Sequence, residues 1–194
     1  MNDIARAATA LRRGELVIVP TDTVYGLAAL PAHAAALQRV FAVKGRPAHR
    51  ALPVLGAGED QLEEVVRFNA AARALGRRFW PGPLTMVLPT RAGFDAPLGG
   101  PRDTTAVRVP RSEITLELLR AVGPLAVTSA NRSGEPAATT ADDARRALGA
   151  DVEHVLDAGP ADGVESTIVA LTGAPEILRA GALSADEVLQ TLSS

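Results

Sequence analysis

Short apolar runs and alanine-rich amphipathic stretches take turns along this chain, and a proline or glycine stands at many of the joins. That alternation constrains the fold more than any other feature, because strands and helices bury their apolar residues with different periods. Residues 16–19, 52–55, 84–88, 105–109, 125–128, 152–156, 167–171 and 177–178 read as strands. Residues 3–13, 32–43, 59–67, 69–79 and 113–122 read as helices; in the first, Ile4, Ala7, Ala8 and Leu11 recur at helical spacing. Two further helices are marked by their starts. Thr140 with Asp143, and Ser184 with Glu187, set a hydroxyl and an acid three residues apart, where they can satisfy backbone N–H groups of the first turn. Gly149 ends the first of these, and the second runs to about Leu192. Gly14, Pro20, the rigid Trp80-Pro81-Gly82-Pro83 turn and the Gly123-Pro124 pair punctuate the rest. The class is therefore α/β, with one sheet covered by helices. No repeat, low-complexity tract or long linker divides the chain, so one domain over residues 1–194 is expected. Polar loops follow most strands, and in open α/β sheets ligands gather at strand carboxyl ends. The loops beginning at Pro20, Ser129 and Arg179 should then face a common cleft.

Composition removes several chemistries. There is no cysteine, which excludes disulfides, thiolate catalysis and cysteine-ligated metal sites. His33, His49 and His154 are scattered without metal spacing. P-loop, dinucleotide and nucleophile-elbow motifs do not occur. A protein of this kind, if it catalyses, should work by positioning and electrostatics. The net charge of −2 gives no global attraction to nucleic acid. The N-terminal Met-Asn-Asp lacks a basic-then-apolar leader pattern, and no run of about eighteen apolar residues occurs, so a cytoplasmic protein without membrane contact is expected.

Local chemistry concentrates in a few segments. Lys44 is the only lysine, against nineteen arginines. It sits in Lys44-Gly45-Arg46-Pro47, a short cationic clamp suited to a phosphate or carboxylate, inside an acid-free stretch that also holds Arg39 and Arg50. Pro20-Thr21-Asp22-Thr23-Val24-Tyr25-Gly26-Leu27 crowds hydroxyls and one carboxylate into a loop after the first strand. Thr128-Ser129-Ala130-Asn131-Arg132-Ser133-Gly134 offers small hydrogen-bonding side chains after another, and Asn131 can both donate and accept. Glu165-Ser166-Thr167 precedes a strand, and Leu178-Arg179-Ala180-Gly181 ends one with an arginine able to grip a phosphate.

These segments, together with Phe79-Trp80-Pro81-Gly82-Pro83-Leu84-Thr85 and Thr105-Ala106-Val107-Arg108, resemble the YrdC family in order and register over about residues 15–183. Its enzymes include threonylcarbamoyl-AMP synthases. The resemblance implies a single YrdC-like domain: a twisted, mostly open mixed sheet flanked by helices around a concave positive cavity. It implies a nucleotidyltransferase that makes threonylcarbamoyl-AMP and pyrophosphate from L-threonine, bicarbonate (or CO2) and ATP, with Mg²⁺ held mainly by the ATP. A tRNA-threonylcarbamoyl transferase complex would then accept the product for the modification beside the anticodon. Matched positions assign Thr23, Arg108, Ser129 and Ser166 to threonine. They assign Lys44, Arg46, Thr104, Asn131, Thr139 and Arg179 to the nucleotide, with Lys44 and Arg46 also offsetting charge on the reacting groups.

The chain departs from the family pattern in places. Thr128 stands where a proline is common, Ala180 replaces another proline, Arg50-Ala51-Leu52 replaces Asn-Pro-Leu, and Leu55-Gly56 stands where a histidine is frequent. The chain ends at Ser194, as in the short form of the family. Two other readings compete: an RNA-binding or ribosome-maturation module, and a YrdC-like paralogue with a different acyl acceptor. Scarce aromatics (one Trp, one Tyr, four Phe) and the mild negative charge weigh against RNA, so weak or no direct RNA binding is expected.

Overall fold

A computed structural model describes residues 3–192. Along the chain come α1 (Asp3–Arg12), β1 (Val17–Val19), β2 (Gly26–Ala29), α2 (Ala34–Lys44), β3 (Val54–Leu55), α3 (Glu59–Leu62) and α4 (Ala70–Phe79). Then follow β4 (Leu84–Pro89), β5 (Thr104–Arg108), α5 (Glu113–Val122), β6 (Leu125–Ser129), α6 (Ala141–Leu148), β7 (His154–Val155), β8 (Thr167–Ala170), β9 (Glu176–Arg179) and α7 (Ala185–Thr191). The strands form one open sheet in the order β7-β1-β2-β6-β3-β5-β4-β8-β9. It is mixed: β1–β7, β3–β5 and β4–β8 pair in parallel, while β1–β2, β2–β6, β3–β6, β4–β5 and β8–β9 are antiparallel.

The caps expected from sequence are present. Thr140 accepts from the Asp143 N–H at the head of α6, and Ser184 and Glu187 form a reciprocal capping box on α7. Helix α1 buries Ala7, Ala8 and Leu11 and packs on α5, β1 and β7. One continuous apolar core runs through the sheet, from Leu11 and Ile18 through Leu27 and Val54 to Leu84 and Met86, all fully buried. Each such large side chain contributes roughly 1.5–3 kcal/mol by leaving water.

Three local readings are revised. The stretch expected to be helical over 59–67 holds only the single turn α3, and Val66 instead bridges Thr90 beside the sheet. The strand expected over 52–55 is shortened, because Pro53 has no N–H and the Leu52 N–H turns away to the Leu98 carbonyl. Gly26 and Leu27, read as the end of a loop, instead begin β2, an interior strand between β1 and β6. A Cβ at Gly26 would lie 2.4 Å from Val127 Cγ1, so only glycine lets β2 approach β6 there.

The mixed sheet also revises where the cleft lies. Because β1 and β6 run the same way and β9 runs against them, the loops at Pro20 and Ser129 leave one edge and the loop at Arg179 the other. No common carboxyl edge can collect the loops. The cavity instead spans one face of the middle strands, floored by the alternate residues Val127 and Ser129, Pro53 and Leu55, and Ala106 and Arg108. The loops at Thr21, Ser129 and Arg179 do meet over it.

Candidate functional site

This face cavity has a volume of about 220 Å³. Thr23, Arg108, Ser129 and Ser166, the four residues matched to threonine, all line it, and so do Arg46 and Arg179 from the nucleotide set. Among its lining residues the only carboxylate is Glu165.

Arg108 is its best-anchored cation. It ends β5 opposite Leu55, and its own carbonyl accepts the Gly56 N–H. Its Nε donates to the Gly82 carbonyl at 2.9 Å, its Nη1 to Thr23 Oγ1 at 2.8 Å, and its Nη2 to Asp22 Oδ1 at 2.5 Å. Burial pulls the guanidinium below its ordinary pKa, and the adjacent Asp22 carboxylate opposes that. Thr23 is steadied in turn by Thr21 Oγ1 at 3.0 Å, and Thr21 also donates to the Val24 carbonyl. The Trp80-Pro81-Gly82-Pro83 turn thus serves the site by presenting the Gly82 carbonyl. A Cβ at Gly82 would come within 2.3 Å of the Phe79 carbonyl oxygen.

Lys44 occupies a different position from the one its clamp suggested. Helix α2 ends in a Schellman turn: Gly45, in the left-handed region at φ 60°, donates to Ala42 and Arg46 donates to Phe41. Gly45 therefore acts as a helix stop, and it separates the two cations. Arg46 reaches the cavity wall, held by the Arg50 and Ala51 carbonyls at 2.9 and 3.0 Å. Lys44 turns inward, is 3% exposed, and does not line the cavity. Its Nζ donates to the Ser129 carbonyl (2.5 Å), the Asn131 carbonyl (2.6 Å) and Asn131 Oδ1 (3.1 Å), while its own carbonyl accepts the Ser133 N–H. Lys44 thus clasps the 129–133 loop from both ends. Burial, reinforced by Arg46, lowers its pKa to about 8, with Glu165 opposing. Arg50, whose role the sequence left open, is exposed and contributes its carbonyl to Arg46.

On the opposite wall, Arg179 Nη1 pairs with Glu165 at 2.7 Å, and its Nε and Nη2 donate to the Ser166 carbonyl. Ser166 Oγ lies 2.8 Å from Thr85 Oγ1 across the β4–β8 pair. Gly181, past the site of the missing proline, is pressed against this strand, because a Cβ there would lie 2.3 Å from the Glu165 carbonyl oxygen.

The remaining matched residues sit around this cavity. Thr104 lies two steps before Ala106 on the same face of β5, in a second cavity of about 380 Å³ that shares Ala51 with the first. Asn131 is buried behind the wall, donating to the Arg132 and Glu135 carbonyls. Thr139 lines neither cavity: its carbonyl accepts the Ala161 N–H, in the strand of loop that also bonds Asp22 and Thr23. Leu55 supplies an apolar patch of floor where the family pattern often has histidine. Sequence reasoning missed Asp22 and Glu165 as site residues. Each is a lone acid whose partner stands at a long separation, 86 residues for Asp22 and 14 for Glu165, so no local pattern flags it.

A buried arginine, further cations on the walls and small hydroxyls among the lining residues, in a chain without cysteine, make a site suited to small anionic substrates. The chain belongs to the Sua5/YciO/YrdC family, whose model, described under "Telomere recombination", matches residues 9–181. A Mycobacterium leprae protein provisionally named threonylcarbamoyl-AMP synthase is 43% identical over 192 residues, 97% of this chain and 87% of its own length. A Pyrococcus abyssi protein named threonylcarbamoyl-AMP synthase is 41% identical over 94% of this chain, but the match spans only 55% of that longer protein. The crystal structure of P. abyssi Sua5 complexed with L-threonine superposes with a TM-score of 0.94 at 39% identity, covering 99% of this chain and 58% of that one.

Proposed function

We propose that this chain is an L-threonylcarbamoyladenylate synthase, converting L-threonine, bicarbonate or CO2 and ATP into threonylcarbamoyl-AMP and pyrophosphate. The observation that carries the reading is the meeting of Thr23, Arg108, Ser129 and Ser166 in one cavity, in a fold that matches a relative complexed with L-threonine. Three of the five guanidinium N–H donors of Arg108 are engaged by Gly82, Thr23 and Asp22, which leaves one on each Nη for a substrate carboxylate. Arg46 and Arg179 supply positive charge for the phosphates, and Thr104 lies where a nucleotide could extend along β5.

In this reading threonine's neutral amine attacks the carbon of CO2 and loses a proton to solvent, giving a carbamate; from bicarbonate, water leaves instead. A carbamate oxygen attacks the α-phosphorus of ATP and pyrophosphate departs. No protein nucleophile is needed. The protein aligns two anionic partners and offsets the charge that would keep them apart. Lys44 acts by fixing the 129–133 loop, and so Ser129, rather than by meeting the phosphates. The donor set of the wall, hydroxyls and arginines with Glu165 already paired, suits a Mg²⁺ carried by the triphosphate's own oxygens. Such an ion would supply further charge neutralisation.

The product's consumer would be a tRNA-threonylcarbamoyl transferase complex, and the cytoplasm, where ATP and tRNA meet, is the setting. Among the described residues no helix is long and apolar enough to cross a membrane. The test is pyrophosphate release from ATP. It should require both threonine and bicarbonate, and a rate unchanged by omitting threonine overturns the proposal.

A further inference from the structure

Asp22 carries a cost that packing does not explain. Its side chain is 4% exposed, and only one of its two oxygens has partners. Oδ1 accepts from Arg108 Nη2 and from the Arg111 N–H at 2.9 Å, just ahead of α5. Oδ2 is buried without a hydrogen-bond partner among the described residues. A buried ion pair is weak evidence for stability, since desolvation can exceed the attraction, and an unsatisfied oxygen adds to the cost. What the pair does achieve is geometric. Gly82 fixes Nε, Thr23 fixes Nη1 and Asp22 fixes Nη2, so the planar guanidinium is held at three corners and cannot rotate. Of these three acceptors only Asp22 is charged.

We infer that Asp22 is a positioning residue for amino-acid recognition: it locks the Arg108 fork in the one orientation that aims its remaining N–H groups at the substrate carboxylate. Asp22 lies outside the lining of the cavity and acts through Arg108. The inference rests on the proposed synthase reading and deepens it. Its signature is selective. Arg46 and Arg179, assigned to the nucleotide, donate instead to oxygens of Arg50, Ala51, Glu165 and Ser166.

The experiment is steady-state pyrophosphate release by wild type, Asp22→Asn and Asp22→Glu, with thermal melts and calorimetric titration of threonine on each. Asn keeps the shape and an acceptor but loses the charge on the Arg108 bond. It should raise the threonine KM and Kd roughly tenfold, as expected for weakening one charge-assisted hydrogen bond. The ATP KM should stay within about twofold, while the melting temperature should fall, because Asn leaves the buried Arg108 guanidinium without its counter-charge. Glu keeps the charge on a longer arm; it should move the threonine KM the same way, showing that placement as well as charge matters. Equal rises in both KM values, or a threonine Kd unchanged in a folded Asp22→Asn, overturn the inference. Wild type separates the two levels of failure: if it shows no threonine-dependent turnover, the synthase reading falls before Asp22 is tested.

Discussion

Arg108 and Lys44 are both almost completely buried, and the protein holds them in opposite ways. Arg108 stands on a strand and is matched by a carboxylate, a hydroxyl and a carbonyl. Lys44 ends a helix and is matched only by neutral oxygens, three of them on one short loop. A guanidinium stays charged through any ordinary pH, so Arg108 is a permanent feature of the cavity. An ammonium held by neutral groups loses part of its hydration without gaining a counter-charge, which is why Lys44 falls to about 8. The first cation is built to meet a substrate anion; the second is built to hold a loop, and its hold depends on a proton.

The largest effect should come from breaking the first arrangement. Arg108→Met leaves Asp22 buried without its cation, a loss of about 3–5 kcal/mol. Threonine-dependent turnover should disappear with it. Urea denaturation tests the stability part, and adding Asp22→Asn to Arg108→Met should restore much of the loss. If the double variant is no more stable than the single one, the pair is not the unit described. Breaking the second arrangement should cost less. Lys44→Met leaves the two Asn131 oxygens without this donor, each worth about 1–3 kcal/mol if it stays buried and unpaired, while the Ser129 carbonyl keeps the Asn131 N–H. Lys44→Arg should keep the fold and lose most turnover, because a planar fork cannot aim three donors at three converging oxygens. Near-normal activity in Lys44→Arg would remove the loop-holding role.

The pH profile sharpens the contrast, since the two readouts should move in opposite directions. The folded-state pKa of Lys44, about 8, lies below its ordinary value of 10.5. Between these values the unfolded chain binds more protons than the native one, so the Lys44 contribution to stability rises with pH across that window. Below pH 8 both states carry the proton and the contribution is flat. Turnover should instead fall as pH climbs through about 8, because the neutral amine offers fewer donors to the 129–133 loop. The charged groups nearby, Arg46 and Glu165, act against each other on this pKa. Melts and kcat/KM from pH 7 to 10 check both. An alkaline limb that persists unchanged in the residual activity of Lys44→Arg would assign it to another group.

Sequence carried more of the fold than of the site's wiring. The helix starts at Thr140 and Ser184 were legible because capping is a three-residue matter. Strand β2 was not, because Gly26-Leu27-Ala28-Ala29 lacks β-branched residues and is buried at every position. Its conformation comes from its neighbours on either side rather than from its own propensity. The same division holds in the cavity. Motif register named Thr23, Arg108, Ser129 and Ser166, and these do converge. It could not tell that Lys44 faces inward and Arg46 outward, since two residues that look like one clamp lie on either side of a helix end. Nor could it pair Asp22 with Arg108, because the partnership exists only once β5 is set in the sheet.

Gly45 makes the smallest of the expected effects and the most discriminating one. It adopts φ 60° with nothing within 4 Å of where a Cβ would sit, so a side chain there meets backbone strain and no clash. Gly45→Ala should therefore cost about 1 kcal/mol, near the left-handed penalty for a non-glycine residue. If the turn holds under that strain, Lys44 and Arg46 keep their separate directions, and both KM values should stay within about twofold of wild type. If the turn instead relaxes, Lys44 loses its aim on the 129–133 loop and turnover should drop as it does in Lys44→Arg, while threonine affinity falls only by the Ser129 share, because Arg108 stays anchored on the sheet. Calorimetry of threonine alongside turnover distinguishes these outcomes. A loss of threonine affinity as complete as that of Arg108→Met, with turnover per bound substrate preserved, would mean that the two cations are coupled, and that the separation between a sheet-built anion site and a helix-built loop clasp does not hold.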